Sequence, residues 1–216
     1  MTARFVLVSG PPGAGKTTLA RPLAKALGFA LLCKDDIKEP LYSALAGDRF
    51  DPDASRRMGS AAWEIFWSLA PHMPRVVLEA NFHRESAYER ARISALPGQV
   101  VEVYCRCPPA EVVRRFAERA ARPGHHPAHY AGAISEDFVI RDYGAPIGIG
   151  TVIEVDTFSE VDVAALASRI DQRGFGLIQE DRINGETLLP ASAKAAIAKY
   201  YRVTQTAPTV LLTPRP

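Results

Sequence analysis

The sequence predicts an α/β fold: a five-stranded, mostly parallel sheet with helices on both faces. Three observations predict it. Short runs rich in Val, Leu and Ile alternate with longer stretches of helical pattern. These runs are nearly continuous in apolar residues, as in strands buried on both faces. The first run also leads through a glycine-rich bend, Gly10-Pro-Pro-Gly-Ala-Gly15-Lys16-Thr17, directly into a helical segment.

Taken in order, strands are expected at 4–9, 29–33, 75–80, 100–105 and 151–156, each bounded by Gly, Pro or polar residues. Helices are expected near 16–27, 36–46, 55–70, 85–95, 109–121, 133–142 and 160–172. Pro108-Pro109 starts the fifth of these, and Val112, Val113 and Phe116 give it an apolar stripe. The stretch 122–127, with Pro123, Gly124 and Pro127, ends it as a loop. Residues 1–172 form the expected main domain and 173–216 an extension. In the extension, Asn184-Gly185 signals a hairpin between 177–182 and 186–189, and the Ala- and Lys-rich stretch 191–201 reads as a helix. The role of the extension is not legible.

Composition narrows the function. The chain of 216 residues carries 26 basic and 24 acidic side chains, a formal charge of +2 that gives no global signal for nucleic acid or membrane surfaces. No apolar run approaches the roughly 20 residues of a membrane span. Three cysteines make no disulfide framework, and Cys105 and Cys107 are spaced neither as a CxxC pair nor as a zinc knuckle, so reduced thiols are expected. The N-terminus runs straight into a strand, without the pattern of a secretory leader. The expected compartment is the cytoplasm, with a monomer as the default state.

The bend fits GxxxxGK[ST], the P-loop, between a strand and a helix. Gly10, Gly13 and Gly15 let the backbone curl so that its amide hydrogens face a polyphosphate; Pro11, Pro12 and Ala14 complete the loop. The following helix adds free first-turn N–H groups, including that of Thr18, and the positive end of its dipole. Lys16 supplies a compact charge for the β- and γ-phosphates, and the Thr17 hydroxyl is placed for Mg²⁺. A chance match in a chain of this length is on the order of one in a hundred at average residue usage. ATP with Mg²⁺ is the expected ligand, and the fold is that of a P-loop NTPase.

Three further stretches join the loop: Cys33-Lys-Asp35-Asp36-Ile-Lys38, Arg75-Val-Val-Leu-Glu79-Ala-Asn81-Phe-His-Arg84, and 111–122 with Arg115, Arg119 and Arg122 on one helix face. Together these four resemble the small P-loop kinases grouped around polynucleotide kinase, zeta-toxin-like kinases, chloramphenicol phosphotransferase and gluconate kinase. Adenylate kinase is a more distant likeness. The resemblance covers about residues 4–172. It implies that Asp35 takes the proton of an acceptor hydroxyl and that Lys38, where an Arg is more usual, helps hold the acceptor. It implies a metal-side role for Glu79, where Asp is more usual, and acceptor or phosphate contacts for Asn81 and Arg84. It makes 109–130 a lid whose Arg119 and Arg122 close over the transferring phosphate.

Each reading has an alternative. Asp35 and Asp36 are also suited to cap a helix starting near Ile37. Glu79 could be a solvated strand-end acid, and the arginines a solvated basic face. Trp63 and Trp67, at i and i+4, read as core or as a wall of the acceptor pocket. His125, His126 and His129 lack a fourth ligand in reach and are not read as a zinc site. The expected activity is γ-phosphoryl transfer from Mg-ATP to a hydroxyl or phosphate of a small-molecule or nucleotide acceptor. Nucleic acid is the less expected acceptor and stays open. The competing readings are a nucleotide hydrolase or switch, and the nucleotide-binding part of a larger assembly.

Overall fold

The computed structural model describes residues 2–175 and, beyond them, strands at 182–183, 186–187, 201–206 and 209–214. The chain divides into two units, Met1–Phe175 and Gly176–Pro216. In the first, β1 (Ala3–Ser9), β2 (Ala30–Cys33), β3 (Arg75–Glu79), β4 (Gly98–Arg106) and β5 (Thr151–Asp156) form one sheet in the order β2-β3-β1-β4-β5. All four pairings are parallel rather than mostly so. Right-handed helical crossovers join such strands, and β1 lies centrally, with the sheet order running outward on either side of it.

Strand alternation divides the core. Val6 and Val8 join Leu19, Leu23, Val103, Val112 and Leu166 on one face, while Phe5 and Leu7 join Phe66, Trp67, Leu78 and Ile93 on the other. One face is thus covered by α1 (Lys16–Leu27), α5 (Pro109–Ala120), α6 (Glu136–Tyr143) and α7 (Val163–Arg169), the other chiefly by α3 (Pro52–Leu69) and α4 (Ala87–Ser94). α2 (Lys34–Leu45) follows β2 and packs on α3. Trp67 is buried in the core, with Trp63 stacked on it at 5.6 Å.

Helix boundaries move for identifiable reasons. α3 begins at Pro52, not near 55, because the Asp51 carboxylate accepts from the N–H groups of Asp53 and Ala54 and Pro52 fits the first helical position. α4, α6 and α7 start after Ser86, Ser135 and Asp162, whose side chains cap them. α2 begins at Lys34, directly from β2, and Cys33 is its N-terminal flank. Asp35 and Asp36 therefore lie inside the first turn and do not cap it; there they face the positive end of the helix dipole. Ile170–Gly174 form a wider helical turn after α7. The first unit runs to Phe175, which is buried, 6.0 Å from the ring of Phe29 and under the Arg4 guanidinium at 5.1 Å.

In the second unit β6 (Arg182–Ile183) and β7 (Glu186–Thr187) pair antiparallel, with Ile183 opposite Glu186. The expected helix at 191–201 lies outside the described residues, except that Tyr201 opens a strand. β8 (Tyr201–Thr206) and β9 (Thr209–Pro214) form a second hairpin, rich in the Val and Thr that favour strands. Among the described residues no helix is long and apolar enough to cross a membrane.

Candidate active site

The loop after β1 depends on glycine where other backbone crowds it. At Gly10 φ is +131°, and a Cβ would lie 2.7 Å from the carbonyl oxygen of Cys105 at the end of β4. At Gly13 φ is +91°, and a Cβ would meet the Val112 carbonyl at 2.9 Å. Side chains at either position would push the loop off the sheet and off α5. Gly15, also left-handed, is the N-terminal flank of α1 and offers no side-chain cap. The first-turn N–H groups of α1 are thus available to an anion. Pro11 and Pro12 are buried, as is Ala14, whose N–H bonds the Pro11 carbonyl at 3.1 Å.

The Lys16 ammonium reaches back to the same carbonyl at 2.7 Å. Burial pushes its pKa down, against the attraction of Glu79, which favours the charged form. Glu79 ends β3 beside the loop, buried, and accepts hydrogen bonds from the Thr17 hydroxyl at 3.2 Å and the Cys33 thiol at 2.7 Å. Burial and this carboxylate raise the Cys33 pKa, so the thiol stays protonated. A hydroxyl and a carboxylate side by side are hard oxygen donors of the kind Mg²⁺ takes.

Three cavities meet along this line. The central one, about 310 Å³, lies over the loop and is lined by Lys16, Thr17, Thr18, Asp35, Glu79, Asn81, Arg115, Arg119 and Arg122. A second, about 490 Å³, opens between α2 and the loop after α5, the expected lid loop, and shares Thr17, Asp35, Arg119 and Arg122 with the first. A third, about 270 Å³, shares Gly15, Thr18 and Arg115 with the first and has Leu19, Val161 and Val163 as apolar wall. Arg115 is fixed there by Glu111 at 2.6 Å and the Thr157 carbonyl at 3.0 Å. Arg119 lies over the ring of Phe116 at 5.4 Å.

Two of the expected acceptor residues are elsewhere. Lys38 does not line these cavities: its ammonium donates to the Ser55 hydroxyl at 3.0 Å, and Ser55 donates to the Ala128 carbonyl at 2.8 Å, tying the lid loop to α3. Its position four residues into α2 turns it toward α3, and burial there pushes its pKa down. Arg84 pairs with its neighbour Glu85 at 2.7 Å in the loop after β3 and also lines none of the three.

Other groups that build the site carry no motif in the sequence. His126 Nδ1 accepts from the Ala128 N–H, which leaves the proton on Nε2, 3.0 Å from the Ser43 hydroxyl. His129 Nε2 lies 2.8 Å from the Glu39 carboxylate. These contacts seat the lid loop on α2. On the other side, the fully buried Glu102 accepts from the Ser9 hydroxyl at 2.5 Å and from the N–H groups of Ile147 and Gly148, both at 2.9 Å. It thereby fixes the end of β1, from which the phosphate loop departs. The one available sign was an acid inside the apolar strand Val100-Val101-Glu102-Val103.

A family model described as an AAA domain matches residues 5–134. The "putative kinase" of Chloroflexus aurantiacus J-10-fl is similar at 27% identity and a TM-score of 0.66, over 80% of this chain and 98% of that one. Shikimate kinase from Aquifex aeolicus shares the fold at 14% identity and a TM-score of 0.50, over 80% of this chain and 99% of that one. No curated relative matches the chain. The family match spans more than half of the residues and includes the glycine loop, α2, β3 and α5, so the chain belongs to the AAA domain family and is a small P-loop kinase.

Proposed function

We propose that this kinase moves the γ-phosphoryl of Mg-ATP to a hydroxyl of a small-molecule or nucleotide acceptor, with Asp35 as general base. The observation that carries this reading is that Asp35 stands where the phosphate cavity and the α2–lid cavity join. An acceptor in the second cavity has its hydroxyl beside a carboxylate and facing the end of a triphosphate in the first. The third cavity, with Leu19, Val161 and Val163, suits the apolar faces of a nucleobase.

The backbone N–H groups of the loop and the Lys16 ammonium bind the phosphates. Thr17 and Glu79 would hold Mg²⁺, which supplies charge neutralisation between the β- and γ-phosphates when bound. The acceptor oxygen forms a bond to the γ-phosphorus as the bond from that phosphorus to the bridging oxygen breaks. ADP departs and the hydroxyl proton passes to Asp35. Arg119 and Arg122 offset the charge on the equatorial oxygens of the loose transition state. Asn81, on the wall of the phosphate cavity, is in position to orient the acceptor or the γ-phosphate. Cys33, Cys105 and Cys107 are buried thiols, and the proposed place of action is the cytoplasm.

Asp35→Asn should lower acceptor-dependent ADP release by about 10²–10⁴-fold while calorimetry shows ATP binding within a few-fold of wild type. Asp142→Asn is the control. Asp142, on α6, pairs with its neighbour Arg141 at 2.7 and 3.2 Å and lines none of the three cavities, so its loss should change turnover by less than about threefold. Equal turnover by Asp35→Asn and wild type would remove Asp35 from the reaction.

A further inference from the structure

The charges around the α2–lid cavity restrict what it can accept. Its cations are committed elsewhere. One Arg21 nitrogen donates to both oxygens of Asp36, at 2.9 and 3.0 Å, so the two charges offset each other. Arg119 and Arg122 also line the phosphate cavity, so a bound triphosphate takes up their charge. Lys38, the one lysine of α2 expected to face the acceptor, is turned onto Ser55. Burial, His129 and Arg119 push the pKa of the His125 imidazole down, away from its charged form.

The carboxylates of that cavity are differently disposed. Asp35 makes no ion pair or side-chain hydrogen bond among the described residues, and Glu39 is met by the imidazole of His129 rather than by a lysine or arginine. With nucleotide bound, an incoming molecule faces the Arg21–Asp36 pair, two further carboxylates, imidazole edges and no uncommitted guanidinium or ammonium group. Such a lining offers hydrogen bonds to hydroxyls and attraction to a protonated amine, and it opposes a carboxylate or a phosphate.

We infer that the acceptor is a polyhydroxylated molecule without negative charge, uncharged or amine-bearing, held between Asp35, Glu39 and the lid-loop histidines. This deepens the phosphotransfer reading above and rests on it. It excludes phosphorylated nucleotides and 5′-hydroxyl nucleic acid ends from the acceptor classes left open by the sequence.

The test uses the full chain, Mg²⁺ and γ-labelled ATP with three matched probe sets at pH 7.5: glucose and myo-inositol, glucosamine and 2-deoxystreptamine, and gluconate and glucose 6-phosphate. Label transfer to a neutral or amine-bearing probe should exceed that to its anionic counterpart by at least about tenfold in kcat/KM. Glu39→Gln keeps an acceptor for His129 and should reduce the preference for amine-bearing probes. Glu39→Lys should reduce it further, toward anionic probes. Anionic probes phosphorylated as fast as or faster than the others would overturn this inference and leave the phosphotransfer reading standing. Hydrolysis of ATP that no probe accelerates would remove both.

Discussion

The loop at residues 10–17 and the acceptor side of the site are built by opposite means. In the loop, bends and ligand groups come from one continuous stretch, and its amides need only the crowding of Cys105 and Val112 to hold their course. On the acceptor side, the geometry is assembled from contacts between residues far apart in the chain. Lys38 meets Ser55 across 17 positions, Ser55 meets Ala128 across 73 and Glu39 meets His129 across 90. A phosphate site can thus be carried by a short local sequence, while an acceptor site made of side-chain contacts between helices can change its chemistry one residue at a time. The same division separates the general function, phosphoryl transfer, from the particular one, the choice of acceptor.

The largest effect that would break this contrast lies in the loop. Gly10→Ala places a methyl against the Cys105 carbonyl at a backbone angle that L side chains rarely adopt. Nucleotide affinity measured by calorimetry should fall by at least about 100-fold, with thermal unfolding lowered only modestly. Wild-type affinity in this variant would show that the loop is not held by its neighbours in this way.

A smaller effect is expected on the acceptor side. Ser55→Ala removes both the acceptor for Lys38 and the donor to the lid carbonyl. Acceptor-dependent turnover should drop about tenfold, as for about 1.4 kcal/mol of lost positioning, while ATP binding stays within about twofold. An equal loss of nucleotide affinity would mean the two ends are not separable.

The smallest effect concerns the loop after β3 that carries Asn81. Buried Glu89 accepts from the His83 N–H at 2.7 Å, and burial pushes its carboxyl pKa up from 4.5 to about 7. Because the folded state then binds a proton more tightly than the unfolded chain, this group makes stability fall as pH rises from about 4.5 toward about 7. Above that range the cost of an ionised buried carboxyl is fully present. Glu89→Gln should flatten this slope in denaturant titrations at pH 5, 6, 7 and 8. A slope unchanged from wild type would assign the pH dependence to other groups.

How much was legible follows the same division. The five strands and the helix after the loop could be read because Val and Leu runs and glycine punctuation act locally. Lys16, Thr17, Glu79 and Asn81 line one cavity. The reading of Asp35 and Asp36 as caps assumed that α2 began near Ile37, and it fails because β2 passes into the helix without a turn. The direction of Lys38 was not legible, since it depends on α3 lying beside α2. Glu102 and the histidines have roles only through partners dozens of residues away, and a single sequence carries no periodic trace of those partners.

Phe175 has a practical consequence for dissecting the protein. Its ring packs against Phe29 and under Arg4, and just before it Gly174 passes so close to Val101 that a Cβ there would lie 2.4 Å from a methyl. A shortened version ending at 172 would uncover greasy surface on the first helix layer and invite clumping, even with every nucleotide-binding group retained. Three more residues supply the plug, so a fragment designed for crystallisation or calorimetry should stop after the aromatic ring, not before it.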